Sequence, residues 1–174
     1  MQLTRDALVT AALDIVDQYG LADMTMRRVA SQLGVAPGAL YWHVANKQEL
    51  IAAVASEILE PVMGSSIRAP RAIAAALHSA LLSHRDGAEV VATALAQPGT
   101  TLFDDLLTKV CTTLPSTDAG RTCGAALVYL VMGAATQEQG QRQLAEATKT
   151  DMARNTPSVK AGVDLLLAGL NAKV

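Results

Sequence analysis

Aromatic residues are almost missing from this chain. One Trp, three Tyr and one Phe make up 3% of a sequence that is 51% hydrophobic. Sandwiches and barrels fill their sheet faces with aromatic and β-branched side chains. A core drawn instead mainly from Ala, Leu and Val suits helices packed closely on one another. Cysteine is equally sparse. Cys111 and Cys123 are the only two, which excludes a disulfide scaffold and reads as buried thiols in a reducing compartment. No apolar run approaches the roughly 20 residues that span a bilayer. The first residues, Met1 to Arg5, lack the apolar centre of a secretory signal. The expectation is a soluble, cytoplasmic protein with no cofactor and no bound metal. Strong overall charge is lacking too: the formal net charge is -2, which by itself does not favour a nucleic-acid partner.

Apolar residues recur at helical spacing along the chain, and no segment alternates with the period of a strand. Thr4 precedes Leu8, Ala12, Ile15, Val16 and Tyr19, and Gly20 closes that helix. Thr25 caps a second helix, whose Met26, Val29, Ala30 and Leu33 face inward. Gly34 supplies a tight turn, and Pro37 opens a short third helix through Leu40, Tyr41 and Val44. Asn46 and Glu49 form a capping-box start for a fourth helix, striped by Leu50, Ile51, Val54, Ile58 and Leu59. It ends around Pro61 to Gly64. Further helices are expected from Pro70 to His84, from an Asp86/Glu89 capping pattern through Leu95, from Thr101 to Leu114, and from Asp118 to about Gln139. The polar stretch beyond Gln137 reads as helical at first and then as loop. A last helix starts at Thr156 and Pro157. The fold class is all-α. A three-helix unit occupies residues 1–46, a linking helix 47–63, and a helical remainder 64–174.

The informative segment is TMRRVASQLGVAPGALYWHVANK, Thr25 to Lys47. Two short helices joined through a glycine make a helix-turn-helix, whose second helix can enter a major groove. Val29, Ala30, Leu33, Val35 and Leu40 lock the pair, leaving Arg27, Pro37, Gly38, Ala39, Tyr41, His43 and Lys47 outside. From Met24 to Gln48 the chain carries Arg27, Arg28 and Lys47 and no Asp or Glu. A local basic face of this kind can hold phosphates on an acidic chain.

The stretch GALYWHVANKQEL (Gly38 to Leu50) resembles the recognition helix and the following helix of the TetR family, in the form of its tetracycline-repressor subgroup. LLSHRDGA (Leu81 to Ala88) and Gly162 to Leu170 resemble parts of the effector-binding and dimerising regions of the same subgroup. The resemblance implies that Arg27 reaches a guanine edge. It implies that Pro37, Gly38 and Ala39 lie against bases, and that Thr25, Arg28, Tyr41, His43 and Lys47 sit at the DNA backbone. It places Trp42 in the core, clamping the recognition helix. It also implies a repressor released from a palindromic operator by a small molecule, with no enzymatic activity.

Anchored on LLSHRDGA, the positions that hold a metal-chelated drug in that subgroup fall on Met63, Ile73, Leu77, Val91, Leu106 and Gln137. Almost none of these offers the oxygen ligands that magnesium requires. With Leu130 they outline a pocket for an apolar, metal-free effector, or else they are simply packed core. For a twofold dimer the expected seam combines Leu127, Val131 and Ala134 with Val163, Leu166, Leu167 and Leu170. Other readings stay open at this stage. The chain could be an activator or a ligand-independent regulator of the same fold. It could also be a helical small-molecule carrier or enzyme with a vestigial helix-turn-helix. His84 and Asp86 are an unpromising catalytic pair, having no nucleophile or metal partner.

Overall fold

The computed structural model describes residues 3–149 and 158–172. Among these, the regular elements are helices. They are α1 (Arg5–Tyr19), α2 (Met26–Leu33), α3 (Pro37–Leu40), α4 (Lys47–Met63), α5 (Pro70–Leu82), α6 (Gly87–Leu95), α7 (Leu102–Cys111), α8 (Asp118–Thr148) and α9 (Val159–Asn171), with a single 3-10 turn at Leu21–Asp23. The expected start at Thr156 and Pro157 lies outside the described residues.

Local chemistry sets the first boundaries. The Thr4 hydroxyl accepts the Ala7 N–H at 3.1 Å and caps α1. Gly20 ends it at φ 92, a conformation that strains any side chain with a Cβ. Asn46 Oδ1 accepts the Glu49 N–H at 2.9 Å, and Glu49 Oε2 accepts the Ala45 N–H at 2.7 Å. The capping box at α4 therefore forms, with its return bond one residue upstream of the usual position. Pro61 lies inside α4 and faces solvent.

α4 runs through the centre of the molecule and packs on α1, α5 and α6, and α8 packs on α5, α7 and α9. Buried apolar side chains form one continuous cluster from Leu8 on α1 to Leu170 on α9. A rigid helix touching both halves of one core is suited to transmit movement between them. Met26 and Leu33 are half-buried against this core, as expected of inward positions, but Tyr19 is half exposed.

Three boundaries depart from the sequence expectation. α5 stops at Leu82, and α7 spans only Leu102–Cys111. α8 continues to Thr148, because its polar residues have distant partners. Gln139 is buried. Its Nε2 donates to the carbonyls of Leu81 at 2.9 Å and His84 at 2.8 Å, and its Oε1 accepts the Ala88 N–H at 3.0 Å. One side chain thus satisfies the end of α5 and the start of α6, where helix termini leave backbone groups unpaired. The Asp86/Glu89 capping pattern does not form. Asp86 has φ 54 and makes no cap bond; its carboxylate points instead to the Leu21 N–H and to Gln143.

Candidate nucleic-acid interface

α2 and α3 are held at a fixed angle by the turn between them. Thr25 Oγ1 accepts the Arg28 N–H at 3.2 Å and opens α2. Gly34 closes it at φ 68, ψ 29. The Gly34 N–H bonds the Ser31 carbonyl at 3.2 Å, and the Val35 N–H bonds the Ala30 carbonyl at 3.0 Å. This pair of bonds is a Schellman motif, in which the left-handed residue is normally glycine. Pro37 then starts α3, where a missing N–H costs nothing. The helical turn runs on past Leu40 through the His43 N–H to Leu40 carbonyl bond at 2.9 Å and the Val44 N–H to Leu40 carbonyl bond at 3.1 Å.

Leu40 and Val44 are both buried and lie four residues apart, so they fix which side of this helix faces in. Trp42, two residues from each, is carried to the far side and is 90% exposed. The expectation of a core Trp42 is therefore wrong: helical phase decides its direction, and size does not. Tyr41 beside it is 54% exposed. Thr25, Arg27, Pro37 and Gly38 are exposed, and Ala39, His43 and Lys47 are half-buried. The side chains of Arg27, Tyr41, Trp42, His43 and Lys47 have no hydrogen-bond or ion-pair partner among the described residues.

Arg28 is different. Its guanidinium pairs with Asp23 and lies over the Tyr19 ring, 3.8 Å from the centroid. It is tied to the end of α1 and so is taken up by partners within the chain. That cation–π contact also explains how Tyr19 can end α1 half exposed. Gly38 has neither a positive φ nor any atom within 4 Å of where a Cβ would stand. Nothing inside this chain requires glycine there.

Residues 8–54 match the family model described as bacterial regulatory proteins, tetR family. The tetracycline repressor protein class C of Escherichia coli is 31% identical to this chain over an alignment covering 90% of this chain and 76% of that protein. The chain belongs to the TetR family. The crystal structure of Mycobacterium smegmatis BioQ shares its fold with a TM-score of 0.80 at 35% identity, covering 99% of this chain and 100% of BioQ. A structure of BioQ with its natural double-stranded DNA operator gives 0.77 at 36% identity, covering 98% and 99%. This TetR-family protein is a DNA-binding transcriptional regulator, in a family of regulators and not of enzymes. Among the described residues no helix is long and apolar enough to cross a membrane, and no group of three or more His, Cys, Asp or Glu could hold a metal ion.

The sequence positions expected to line an effector pocket in this TetR-family chain are not brought together around open space. Ile73, Leu77, Val91 and Leu106 are fully buried in the common core. Small neighbours such as Ala74, Ala88 and Ala94 let the helices close over them. Met63 is half-buried and borders a shallow cleft with Leu59, Leu102 and Lys109. Leu130 is half-buried, with its side chain 2.9 Å from where a Cβ on Gly162 would stand, and Gln137 is exposed. A cleft of about 920 Å³ opens elsewhere, between α5, α8 and α9, and none of those seven residues lines it.

The expected dimer seam needs a similar correction. Leu127, Val131, Val163, Leu167 and Leu170 are all buried within a single chain, in the packing of α8 on α9 and its neighbours. The strongest apolar stripe of each helix is used inside the protomer. Ala134 and Leu166 are half-buried at its edge. The outward apolar surface is a different one: Leu165 is 75% exposed and Tyr129 63% exposed, with Ala161, Ala168 and Gly169 of α9 and Gly133 of α8 also open.

Proposed function

We propose that this protein is a homodimeric repressor that leaves a palindromic operator when it binds a small, largely apolar effector in the cytoplasm. Residues 1–46 form the DNA-binding unit in this reading, α4 the link, and residues 64–174 the effector-binding and dimerising unit. The observation that carries it is the exposed, acid-free face on which Arg27, Tyr41, Trp42, His43 and Lys47 all lack internal partners. A free basic and aromatic set on a short, rigid helix pair is what major-groove docking uses.

Arg27 takes a base edge, guanine being the usual partner of a bidentate arginine. Pro37, Gly38 and Ala39 approach the bases. Gly38 favours this reading, since a glycine that the fold does not need still permits another molecule's close approach. Thr25, Tyr41, Trp42, His43 and Lys47 set the register on phosphate and sugar. Arg28 drops out of the contact set because Asp23 and Tyr19 hold it.

Two recognition helices must reach successive major grooves about 34–36 Å apart, which requires a twofold pair. The outward Leu165–Tyr129 face supplies the surface for the second copy, α8 and α9 of each chain forming one four-helix bundle. The bioQ operator complex and the tetracycline repressor support, for this chain, the operator and the effector respectively.

The test is capture and sequencing of DNA fragments bound by the purified protein, followed by a salt titration on the recovered site. A palindrome should emerge, with affinity falling steeply as salt rises. Arg27→Ala should abolish discrimination between site and competitor DNA, whereas Lys47→Ala should weaken both and reduce the salt slope by about 1. Recovery of fragments without any shared motif would overturn the reading.

A further inference from the structure

The 920 Å³ cleft between α5, α8 and the start of α9 has the size of a small-molecule site. Its walls are of two kinds. Ala72, Ala75, Val159 and Val163 make an apolar surface of mostly small side chains. Arg71, Arg142 and Lys160 bring three cations, against the single carboxylate of Glu138.

The internal pairings leave positive charge over. Glu138 is shared between His78 Nε2 at 3.3 Å and Arg142 at 3.6 Å. Arg71 is neutralised by Asp164. Lys160 has no ion-pair or hydrogen-bond partner among the described residues. His78 Nε2 is buried and, despite its distance from Glu138, makes no aligned hydrogen bond. Buried polar atoms are nearly always paired, so a lining group with an unmade bond marks a place where a partner is missing.

The cleft also lies beside the joint between the two halves of the chain. Leu82, Ser83 and Arg142 line both it and a smaller hollow of about 240 Å³ bordered by Asp17, His84, Asp86 and Gln143. There, Asp17 on α1 accepts the Arg85 N–H at 3.0 Å and faces His84 Nδ1 at 2.9 Å. A molecule that repositions Arg142 or Ser83 therefore acts directly on the groups that hold α1.

We propose that this cleft is the effector site and that its ligand is a small amphipathic monoanion, an apolar body carrying one carboxylate. The body lies along Ala72, Ala75, Val159 and Val163, and the carboxylate is held by the surplus charge of Lys160 and Arg142. This deepens the ligand-released-repressor reading and rests on it.

The test uses octanoate, with 1-octanol and octylamine as matched controls, in calorimetry on the full-length protein. Octanoate should bind saturably, octanol about tenfold more weakly and octylamine not at all. Arg142→Gln combined with Lys160→Gln should weaken octanoate by about tenfold while leaving octanol unchanged. Ala75→Trp, a surface substitution that fills the cleft, should remove both; its melting curve should match the parent protein. No saturable octanoate binding, or binding indifferent to these variants, overturns the site. Operator binding is scored separately. Octanoate that occupies the cleft yet leaves the operator complex intact overturns the effector assignment. Another compound that releases operator equally well from Ala75→Trp and from the parent protein overturns the cleft while upholding ligand-released repression.

Discussion

The carboxylate of Asp86 accepts the backbone N–H of Leu21 across 2.8 Å, joining the loop before α6 to the end of α1. The same carboxylate takes the side-chain amide of Gln143 on α8. Asp86 is thus a bridge with one oxygen on each half of the molecule, held at φ 54, a left-handed conformation that aspartate tolerates better than most residues. Asp86→Ala removes both bonds and keeps the strain. Its expected cost is about 1–3 kcal/mol, the range for charge-assisted bonds at a part-buried site. Urea unfolding at neutral pH measures it, and an unchanged midpoint would show that the bridge contributes nothing to stability.

Gly20 is coupled to the same carboxylate. A Cβ on residue 20 would stand 2.7 Å from Asp86 Oδ2, on a backbone already at φ 92. Gly20→Ala should destabilise by more than about 1 kcal/mol, from backbone strain plus collision. Combining it with Asp86→Ala removes the collision and leaves the strain. The double variant should therefore lose less stability than the two single losses added together. Strict additivity in the double-mutant cycle would mean that the two residues do not meet.

Gly38 and Trp42 separate binding from folding. Neither serves the core: Gly38 has open space where a side chain would begin, and Trp42 is almost wholly exposed. Gly38→Ala should stabilise the free protein by about 0.5–1 kcal/mol, because glycine disfavours a helix. Trp42→Ala should change stability by less than about 0.5 kcal/mol. Both should weaken operator binding severalfold in fluorescence anisotropy. As the contrast, Leu40→Ala should cost about 2–5 kcal/mol as a buried leucine. A Trp42→Ala protein that binds operator as the parent does would remove Trp42 from the interface.

What was legible in the sequence follows from the range of the interactions. Thr4, Thr25, Gly34 and Asn46 act on backbone groups within five residues, so their roles can be read from spacing alone. Gln139 acts on residues 51 to 58 positions away, and nothing near it in the chain signals that. Asp86 matched a local capping pattern, but distant partners took its carboxylate. The apolar stripes of α8 and α9 were visible; their partners were not, because a stripe that packs within one chain looks the same as one that packs between two. Trp42 was misplaced although the signal was present, in the four-residue spacing of Leu40 and Val44.

Leu165 tests the pairing of two chains. It projects from the outward side of α9, three-quarters exposed, while Val163 and Leu167 on either side of it are buried. In a monomer, Leu165→Glu would simply replace an exposed apolar side chain with a soluble one and leave folding intact. In a dimer built on this face, it sets two carboxylates against each other across the twofold axis, with apolar surface around them and no cation to pair them. The expected result is a monomer by sedimentation, with helical content unchanged by circular dichroism. The separated chains can then dock only one recognition helix at a time, so affinity for the full palindrome should fall toward that for a half-site. A Leu165→Glu protein that still sediments as a dimer would place the interface on another face.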